Sequence, residues 1–139
     1  MNIDIIEGHD NDYAVQIPEL LRQHNALLGY TSKVERFTII AQKEGKFLGG
    51  AVLTTEWDYV YLNNLHVIEK GQGTGKKIVK EIEALTKKLN KKGIYLFTGE
   101  FQAVDFYKSL GFIQTGYIPS FVNENDEILM VKQLSKEAN

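Results

Sequence analysis

The sequence predicts one α/β (α+β) domain in which strands and helices alternate along the chain. Its 139 residues suit a single hydrophobic core, since domains usually span about 100–150 residues. Hydrophobic residues make up 43% and charged residues 24%, a globular balance that excludes disorder as the main state. Runs with the two-residue hydrophobic period of a strand alternate with runs of helical period. This alternation predicts the mixed fold class.

The first predicted elements are a short strand and a helix. Residues 2–7 alternate in polarity, as in a strand. Asp10, Asn11 and Asp12 are suitable helix N-caps, and a helical pattern follows them. Pro18 lies inside that pattern and predicts a helix divided into two pieces. The apolar stripe of this helix consists of Ile17, Leu20, Leu21, Leu27 and Leu28.

Three strands are predicted next, and the first two form a hairpin. Residues 36–43 are rich in β-branched and aromatic side chains, and residues 44–46 form a tight turn around Gly45. Residues 47–55 return as the second strand. Residues 58–67 predict a third, long strand.

A long helix and a short strand follow a glycine-rich turn. From Gly75 onward, apolar residues recur at i, i+4, i+7 and i+11 and line one face, while lysines fill the other. Residues 90–93 end this helix. Residues 94–98 (IYLFT) predict a short strand that is buried on both faces. The apolar face of the helix consists of Ile78, Ile82, Leu85 and Leu89.

A second helix and two strands complete the pattern. Residues 102–110 predict a helix with one apolar face, and Gly111 supplies its left-handed cap. The apolar positions are Ala103, Phe106, Tyr107 and Leu110. Residues 112–118 and 127–133 predict two final strands, separated by a polar loop over residues 122–126.

The composition excludes several classes of function. The chain has no cysteine, which removes disulfides, thiolate nucleophiles and cysteine-bound zinc. No apolar run approaches the roughly 20 residues of a membrane helix, and the N-terminus lacks the regions of a signal peptide, so a cytoplasmic protein is expected. His66 alternates with two apolar residues and is interpreted as structural or pocket-lining. No histidine spacing predicts a metal site.

Positive charge is concentrated in one stretch of a chain whose net charge is −2. Eight lysines lie between Lys70 and Lys92, against two glutamates. The overall negative charge argues against a nucleic-acid-binding domain. A local anion site and a solvated helix face are both compatible with these lysines.

The turn at residues 70–76 (KGQGTGK) places glycines at alternate positions between a strand and a long helix. Such a turn brings free backbone amides together at a helix N-terminus, which makes a phosphate cradle. A Walker A loop is excluded because Lys77 stands where serine or threonine is required. A G-x-G-x-x-G fingerprint fails because Lys76 occupies its last position. A tight turn without a ligand is the alternative interpretation.

Two motifs resemble those of the GNAT superfamily of N-acetyltransferases. Residues 70–75 resemble its acetyl-CoA motif, (R/Q)-x-x-G-x-(G/A), with Gly73 and Gly75 at the glycine positions. Residues 103–112 (AVDFYKSLGF) resemble its second signature, A-x-x-(F/L)-Y-x-x-x-G-F. The order of the predicted elements also matches, so the resemblance covers the whole chain.

The resemblance implies one N-acetyltransferase domain over residues 1–139 with the fold of that family. The implied sheet is mixed, with about six or seven mostly antiparallel strands and helices on both faces. The strands that end at Val67 and Thr98 are expected to run parallel and to splay apart. The pantetheine arm of acetyl-CoA would enter the gap like an extra strand.

The resemblance also implies where acetyl-CoA, the acetyl-donor co-substrate, would bind. Backbone groups near Leu65 and Val67 would bind pantetheine, and the amides of residues 71–76 would hold the pyrophosphate. The lysines expected to reach the adenosine phosphates are Lys76, Lys77 and Lys108. The implied cofactor-binding residues are Leu65, His66, Val67, Lys70, Gly71, Gln72, Gly73, Thr74, Gly75, Lys76, Phe101, Ala103 and Lys108.

The implied reaction is direct transfer of an acetyl group to a primary amine. A strand amide near Leu65 or Val67 would stabilise the oxyanion, and a proton donor would assist departure of the CoA thiolate. Tyr107 matches the family's tyrosine acid, since a phenol with an ordinary pKa of about 10 is protonated at neutral pH. A packed core tyrosine is the alternative, because position 107 lies on an apolar helix face.

Three positions depart from the family pattern. Lys70 replaces the usual arginine or glutamine, and Glu100 stands where many relatives carry an asparagine that helps to bind CoA. Tyr61 stands where some relatives place a carboxylate base, so no base is assigned. The candidates for a base are Glu56, Asp58 and Glu100, each of which is also explained as a surface or capping carboxylate.

The segments expected to form the acceptor groove are acidic, which favours a cationic amine, a small molecule more than a lysine side chain. Ordinary solvation of the surface is the alternative. A non-catalytic acyl-CoA-binding module is the competing function, and the resemblance also leaves room for a homodimer. The acidic residues of these segments are Asp10, Asp12, Glu19, Glu56, Asp58, Glu124, Asp126 and Glu127.

Overall fold

The computed structural model describes residues 1–134, which fall into two compact units. The first unit spans Met1–Ser32, and the second begins at Lys33. Within the described residues, no helix combines the length and the apolar character that a membrane span requires.

The first unit is built around one helix, α1 (Asp12–Leu27). Its N-cap is Asn11, whose side-chain oxygen accepts a hydrogen bond from the Ala14 amide at 2.9 Å, so the predicted capping segment is confirmed. The prediction that Pro18 divides the helix is wrong, because α1 continues through it. A proline removes one amide donor and bends a helix, and the hydrogen bonds of the neighbouring turns keep α1 continuous.

The strand predicted over residues 2–7 is also wrong, since these residues lie in neither a strand nor a helix. A two-residue hydrophobic period describes only side chains, whereas a strand also needs a neighbour that bonds its amides and carbonyls. None of the strands among residues 1–134 pairs with this segment.

The second unit contains a six-stranded sheet. Its strands are β1 (Glu35–Lys43), β2 (Lys46–Glu56), β3 (Tyr59–Val67), β4 (Gly93–Gly99), β5 (Ile113–Val122) and β6 (Asn125–Gln133). They lie in the order β1-β2-β3-β4-β6-β5. Every neighbouring pair is antiparallel except β3 and β4, which are parallel. This is the mixed, mostly antiparallel sheet that the resemblance implies.

Two helices pack within the second unit. α2 (Thr74–Lys88) contacts strands β1 to β4, and α3 (Val104–Ser109) contacts β5. Ile78 and Ile82 of α2 are buried, as the helical period predicts, and Leu85 packs against the same core. The buried Thr86 hydroxyl donates to the Ile82 carbonyl at 2.7 Å, so its polar group is satisfied inside the core.

β4 is buried on one face only, which makes the prediction of burial on both faces wrong. Leu96 is 1% exposed, whereas the neighbouring Phe97 is 41% exposed. Alternate residues of a strand point to opposite faces, and Leu96 lies on the face that packs against the core. On the other face Tyr61 and Tyr95 stack with ring centroids 4.8 Å apart. Residues 94–98 are therefore apolar on both faces for different reasons: one face packs in the core, and on the other face aromatic side chains shield one another.

The connection between β5 and β6 is shorter than the predicted loop over residues 122–126. Only Asn123 and Glu124 separate the two strands. Asn123 has a φ of 55°, in the left-handed region that asparagine tolerates. The polar residues of this segment therefore form a tight turn and the ends of two strands.

Lys132 of β6 joins three elements of the second unit. Its ammonium nitrogen lies 2.6 Å from a carboxylate oxygen of Glu83 in α2 and 2.7 Å from the carbonyl oxygen of Leu110, just after α3. The Lys132 and Glu83 side chains are 24% and 22% exposed, so solvent screens the pair only weakly. The pair therefore holds α2, α3 and the sheet together.

Replacing Lys132 with methionine is expected to lower the free energy of unfolding by about 1–3 kcal/mol, because a half-buried carboxylate and a carbonyl lose their donor. Urea unfolding measures the loss. Lys92→Met is the matched control, since it breaks a lysine–carboxylate pair with Asp58 in which both side chains are about two thirds exposed. Equal losses in the two variants would contradict the prediction.

Candidate active site

β3 and β4 are paired only near their N-terminal ends. Tyr59 pairs with Gly93, and the last pair joins Tyr61 to Tyr95. Both strands continue beyond these pairs, to Val67 and Gly99. The prediction that these parallel strands splay apart is confirmed, and we call the opening the fork.

A β-bulge lies in β3 where the fork begins. Val52 of β2 pairs with Asn64 while Leu53 pairs with Leu62, which leaves Asn63 as the extra residue. The Thr54 hydroxyl donates to the Asn63 side-chain oxygen at 2.8 Å and holds the bulged residue. A bulge bends and twists its strand, so it directs β3 away from β4. The sequence signal for it is a pair of asparagines inside an otherwise apolar and aromatic strand.

The fork holds a cavity of about 770 Å³. Twelve of the fourteen sequence-predicted site residues line it; Gln72 and Lys108 do not. The predicted residues that line it are Leu65, His66, Val67, Lys70, Gly71, Gly73, Thr74, Gly75, Lys76, Phe101, Ala103 and Tyr107. The lining residues that the sequence did not predict are Leu62, Asn63, Asn64, Glu69, Leu96, Phe97, Thr98, Gln102, Asp105 and Phe106.

The N-terminus of α2 opens onto this cavity. Gly71 and Gly73 have φ angles of 83° and 76°, which favour glycine strongly. A Cβ at either position would meet no protein atom within 4 Å, so backbone conformation and not crowding requires these glycines. Gly73 is the N-cap and offers no side-chain acceptor, and the first turn of α2 carries no acidic residue. The first-turn amides are therefore open to an anion, with the positive end of the helix dipole behind them.

Gly75 has a different role from the two glycines before it. A Cβ at this position would lie 3.1 Å from Cζ of Phe106 in α3. Glycine here therefore allows the first turn of α2 to approach α3 closely. The third glycine of the turn brings the two helices of the site together, while the first two shape the backbone.

Tyr107 lies on α3 in the wall of the cavity, and the residue is 6% exposed. Phe106 and Phe112 pack edge-on against its ring, with centroids 5.1 and 5.5 Å away. Burial raises the pKa of Tyr107 to about 12. The phenol therefore stays protonated at neutral and moderately alkaline pH, as a proton donor must. Its burial and its position in the cavity wall are compatible with both interpretations made from the sequence, a proton donor and a packed core residue.

None of the three carboxylates considered as a base lines the fork cavity. Glu100 follows β4, and its side chain accepts a hydrogen bond from the Asp126 amide at 2.9 Å. Asp58 lies 2.9 Å from Lys92, which holds the pKa of Asp58 below its usual value. Glu56 ends β2, at the closed end of the fork beside Tyr59. Glu100 and Asp58 therefore have structural partners, and no base is assigned.

The acidic residues expected around the acceptor do not form one cluster. Asp10, Asp12 and Glu19 belong to the first unit, and Glu56 and Asp58 lie at the closed end of the fork. Glu127 pairs with Gly99 at the open end, where Asp126 and Glu124 also lie. A second cavity of about 370 Å³ at this end is lined by residues that include Glu100, Asp105 and Asp126.

A protein-family model described as Acetyltransferase (GNAT) family matches residues 4–112 of the chain. No curated protein gives a significant sequence match. The match includes the glycine turn, the fork and Tyr107, so it covers the whole candidate site.

Solved structures share the fold. A crystal structure of an acetyltransferase from Bacillus cereus ATCC 14579 is 24% identical with a TM-score of 0.82, covering 94% of this chain and 98% of that one. A candidate acetyltransferase from Agrobacterium tumefaciens is 23% identical with a TM-score of 0.84, covering 96% and 100%. A candidate streptothricin acetyltransferase from Bacillus anthracis, in complex with acetyl coenzyme A, is 23% identical with a TM-score of 0.68, covering 78% and 68%.

Proposed function

The chain belongs to the acetyltransferase (GNAT) family, and we propose that it is an N-acetyltransferase that moves the acetyl group of acetyl-CoA directly to a primary amine. The observation that carries the proposal is the fork cavity, which is lined by the N-terminus of α2 and by Tyr107. One part of this cavity suits an anion, its sides are strand edges, and its wall carries a protonated acid. The transfer needs these three parts.

The fork supports binding of the pantetheine arm. Beyond Tyr61, the facing edges of β3 and β4 are not paired with each other, so an extended amide chain would bond to them as an added strand. The pyrophosphate would lie at the open amides of residues 71–76, where the dipole of α2 favours negative charge. Lys70 and Lys76 line the cavity beside these amides and add positive charge.

The transfer proceeds by attack of the neutral amine nitrogen on the thioester carbonyl carbon. A carbon–nitrogen bond forms, and an amide of β3 near Leu65 or Val67 stabilises the oxyanion. The carbon–sulfur bond then breaks, and the Tyr107 hydroxyl gives its proton to the leaving thiolate. The proton lost by the amine returns to Tyr107 through solvent. The products are the N-acetylated amine and CoA.

The acceptor proposed is a cationic amine, on the basis of the acidic residues at the open end of the fork. Glu124→Gln combined with Glu127→Gln is expected to raise the acceptor KM severalfold with little change in kcat, because the attraction acts on binding. Steady-state kinetics measure both constants. Glu35→Gln with Glu56→Gln removes the same charge at the closed end and serves as the control. An unchanged acceptor KM in the variant with Glu124→Gln and Glu127→Gln would contradict the proposal of a cationic acceptor.

The test of the function is release of free thiol from acetyl-CoA in the presence of a panel of primary amines. We expect thiol release that requires both acetyl-CoA and one of the amines. The competing function is a non-catalytic acyl-CoA-binding module, which is favoured by the absence of the three candidate bases from the cavity lining among residues 1–134. Binding of acetyl-CoA without thiol release from any amine would support the module. No binding would overturn both functions.

A further inference from the structure

Five lysines of α2 form one exposed surface, which we call the lysine face. They are Lys76, Lys77, Lys80, Lys87 and Lys88. Lys80 and Lys87 follow Lys76 at i+4 and i+11, and Lys88 follows Lys77 at i+11. Helical spacing places them in two adjacent rows opposite the buried side of α2, which carries Ile78 and Ile82.

The carboxylates of α2 do not neutralise this face. Glu83 is engaged by Lys132 of β6 at 2.6 Å. Glu81 follows Lys77 at i+4 and offsets the positive charge of one lysine in the row of Lys77 and Lys88. The row of Lys76, Lys80 and Lys87 therefore keeps its positive charge.

The rows begin at the fork and extend well past it. Lys76 lines the fork cavity, and Lys87 lies eleven residues later, about 16 Å farther along the helix axis. Exposed charges separated by more than a Debye length, about 8 Å at physiological salt, are largely screened from each other. A phosphate held at the α2 N-terminus would therefore engage Lys76 but gain little from Lys87 or Lys88, whereas Lys80 lies only about 6 Å beyond Lys76 along the axis. A larger anionic partner would contact Lys80, Lys87 and Lys88 together.

We propose that the lysine face docks a small acidic carrier protein whose acyl group is attached to a phosphopantetheine arm, and that such a carrier is a donor besides acetyl-CoA. The inference rests on the proposed function, because the carrier would use the same fork and donate its acyl group from the same kind of phosphopantetheine thioester. The arm would lie in the fork, its phosphate at the α2 N-terminus, and the acidic body of the carrier over Lys80, Lys87 and Lys88. Charge complementarity and continuity with the fork both favour this occupant.

The chemistry is that of acetyl transfer with a different thiol. The amine nitrogen bonds to the acyl carbon, the carbon–sulfur bond of the arm breaks, and Tyr107 protonates the released thiolate. The products are an N-acyl amine and the carrier with a free thiol, so no further reactant is needed. A nucleic acid is the less favoured partner, since α2 carries no aromatic side chain on which a base could stack and the chain is negative overall.

The test measures the Kd of an acidic acyl carrier protein loaded with an acetyl-phosphopantetheine thioester. In the triple variant Lys80→Gln, Lys87→Gln and Lys88→Gln, we expect this Kd to rise about tenfold, with acetyl-CoA binding changed less than threefold. A second triple variant, Lys33→Gln, Arg36→Gln and Lys43→Gln, removes the same charge from exposed residues on and beside β1 and should leave carrier binding unchanged.

Each outcome of these measurements has a distinct meaning. Loss of carrier binding only in the α2 variant, together with thiol release from the loaded carrier in the presence of an amine, supports it. Absence of carrier binding while acetyl-CoA binds overturns the inference and leaves the proposed function standing. Equal weakening in both triple variants, or tighter binding of a DNA duplex through the same lysines, also overturns it. Failure of acetyl-CoA to bind overturns the proposed function itself.

Discussion

Replacing Gly73 with valine is expected to weaken acetyl-CoA binding about 100-fold. Gly73 has a φ of 76°, a conformation that costs a residue with a Cβ roughly 1–2 kcal/mol and disfavours a β-branched residue most. The turn would shift and carry the first-turn amides of α2 out of alignment. Losing two hydrogen bonds to a charged phosphate, at about 1.5 kcal/mol each, accounts for the expected factor. Isothermal titration calorimetry measures it.

The control for this variant is Gly45→Val. Gly45 also has a φ of 76°, and a Cβ there would also meet nothing within 4 Å, so the two substitutions impose the same local strain. Gly45 lies in the hairpin turn between β1 and β2 and does not line the fork cavity. We expect Gly45→Val to bind acetyl-CoA normally. If both variants bind it like the wild-type chain, the turn is not the phosphate site.

Replacing Tyr107 with phenylalanine is expected to lower kcat by 10²- to 10⁴-fold, the usual range for a lost general acid. The Kd for acetyl-CoA should stay unchanged, because the aromatic ring and its packing against Phe106 and Phe112 remain. Tyr61→Phe removes a hydroxyl from a ring outside the cavity and should leave kcat unaltered. An unchanged kcat in Tyr107→Phe would leave Tyr107 as a packed core residue.

The pH dependence of kcat and of stability gives a second test of the Tyr107 hydroxyl. The acid is active when protonated, so wild-type kcat should not fall as pH rises toward 11 and should be lost only through the raised pKa of about 12. The same pKa affects stability. The folded chain holds the Tyr107 proton to a higher pH than the unfolded chain does, so the free energy of unfolding should decline above about pH 10. Tyr107→Phe should show a smaller decline.

Much of the candidate site was predictable from local sequence. Gly71 and Gly73 stand at alternate positions before a helix, and this spacing alone indicated the turn that the structure shows. The apolar period of α2 identified its buried face at Ile78 and Ile82. Tyr107 was found through its motif, and its burial followed from the apolar face of α3.

The features that the sequence missed depend on contacts between distant segments. Residues 2–7 have the period of a strand but no partner among the described strands, and residues 94–98 are apolar although β4 is covered on one face only. The asparagine pair of β3 signals an irregular strand, but the bulge is located at Asn63 only when β3 is aligned with β2. The fork depends on this alignment, because the bulge directs β3 away from β4.

The sequence by itself determined the order of most elements, the conformation of the glycine turn and the buried faces of α2 and α3. These properties depend on residues within about one or two helical turns of each other, so their pattern is present in the linear chain. Only the tertiary structure decided where β3 separates from β4. It also decided that Gly75 allows close approach of Phe106 and that the Glu100 side chain accepts a hydrogen bond from the Asp126 amide. Each of these joins residues far apart along the chain, and their distance is set by how the sheet pairs and packs.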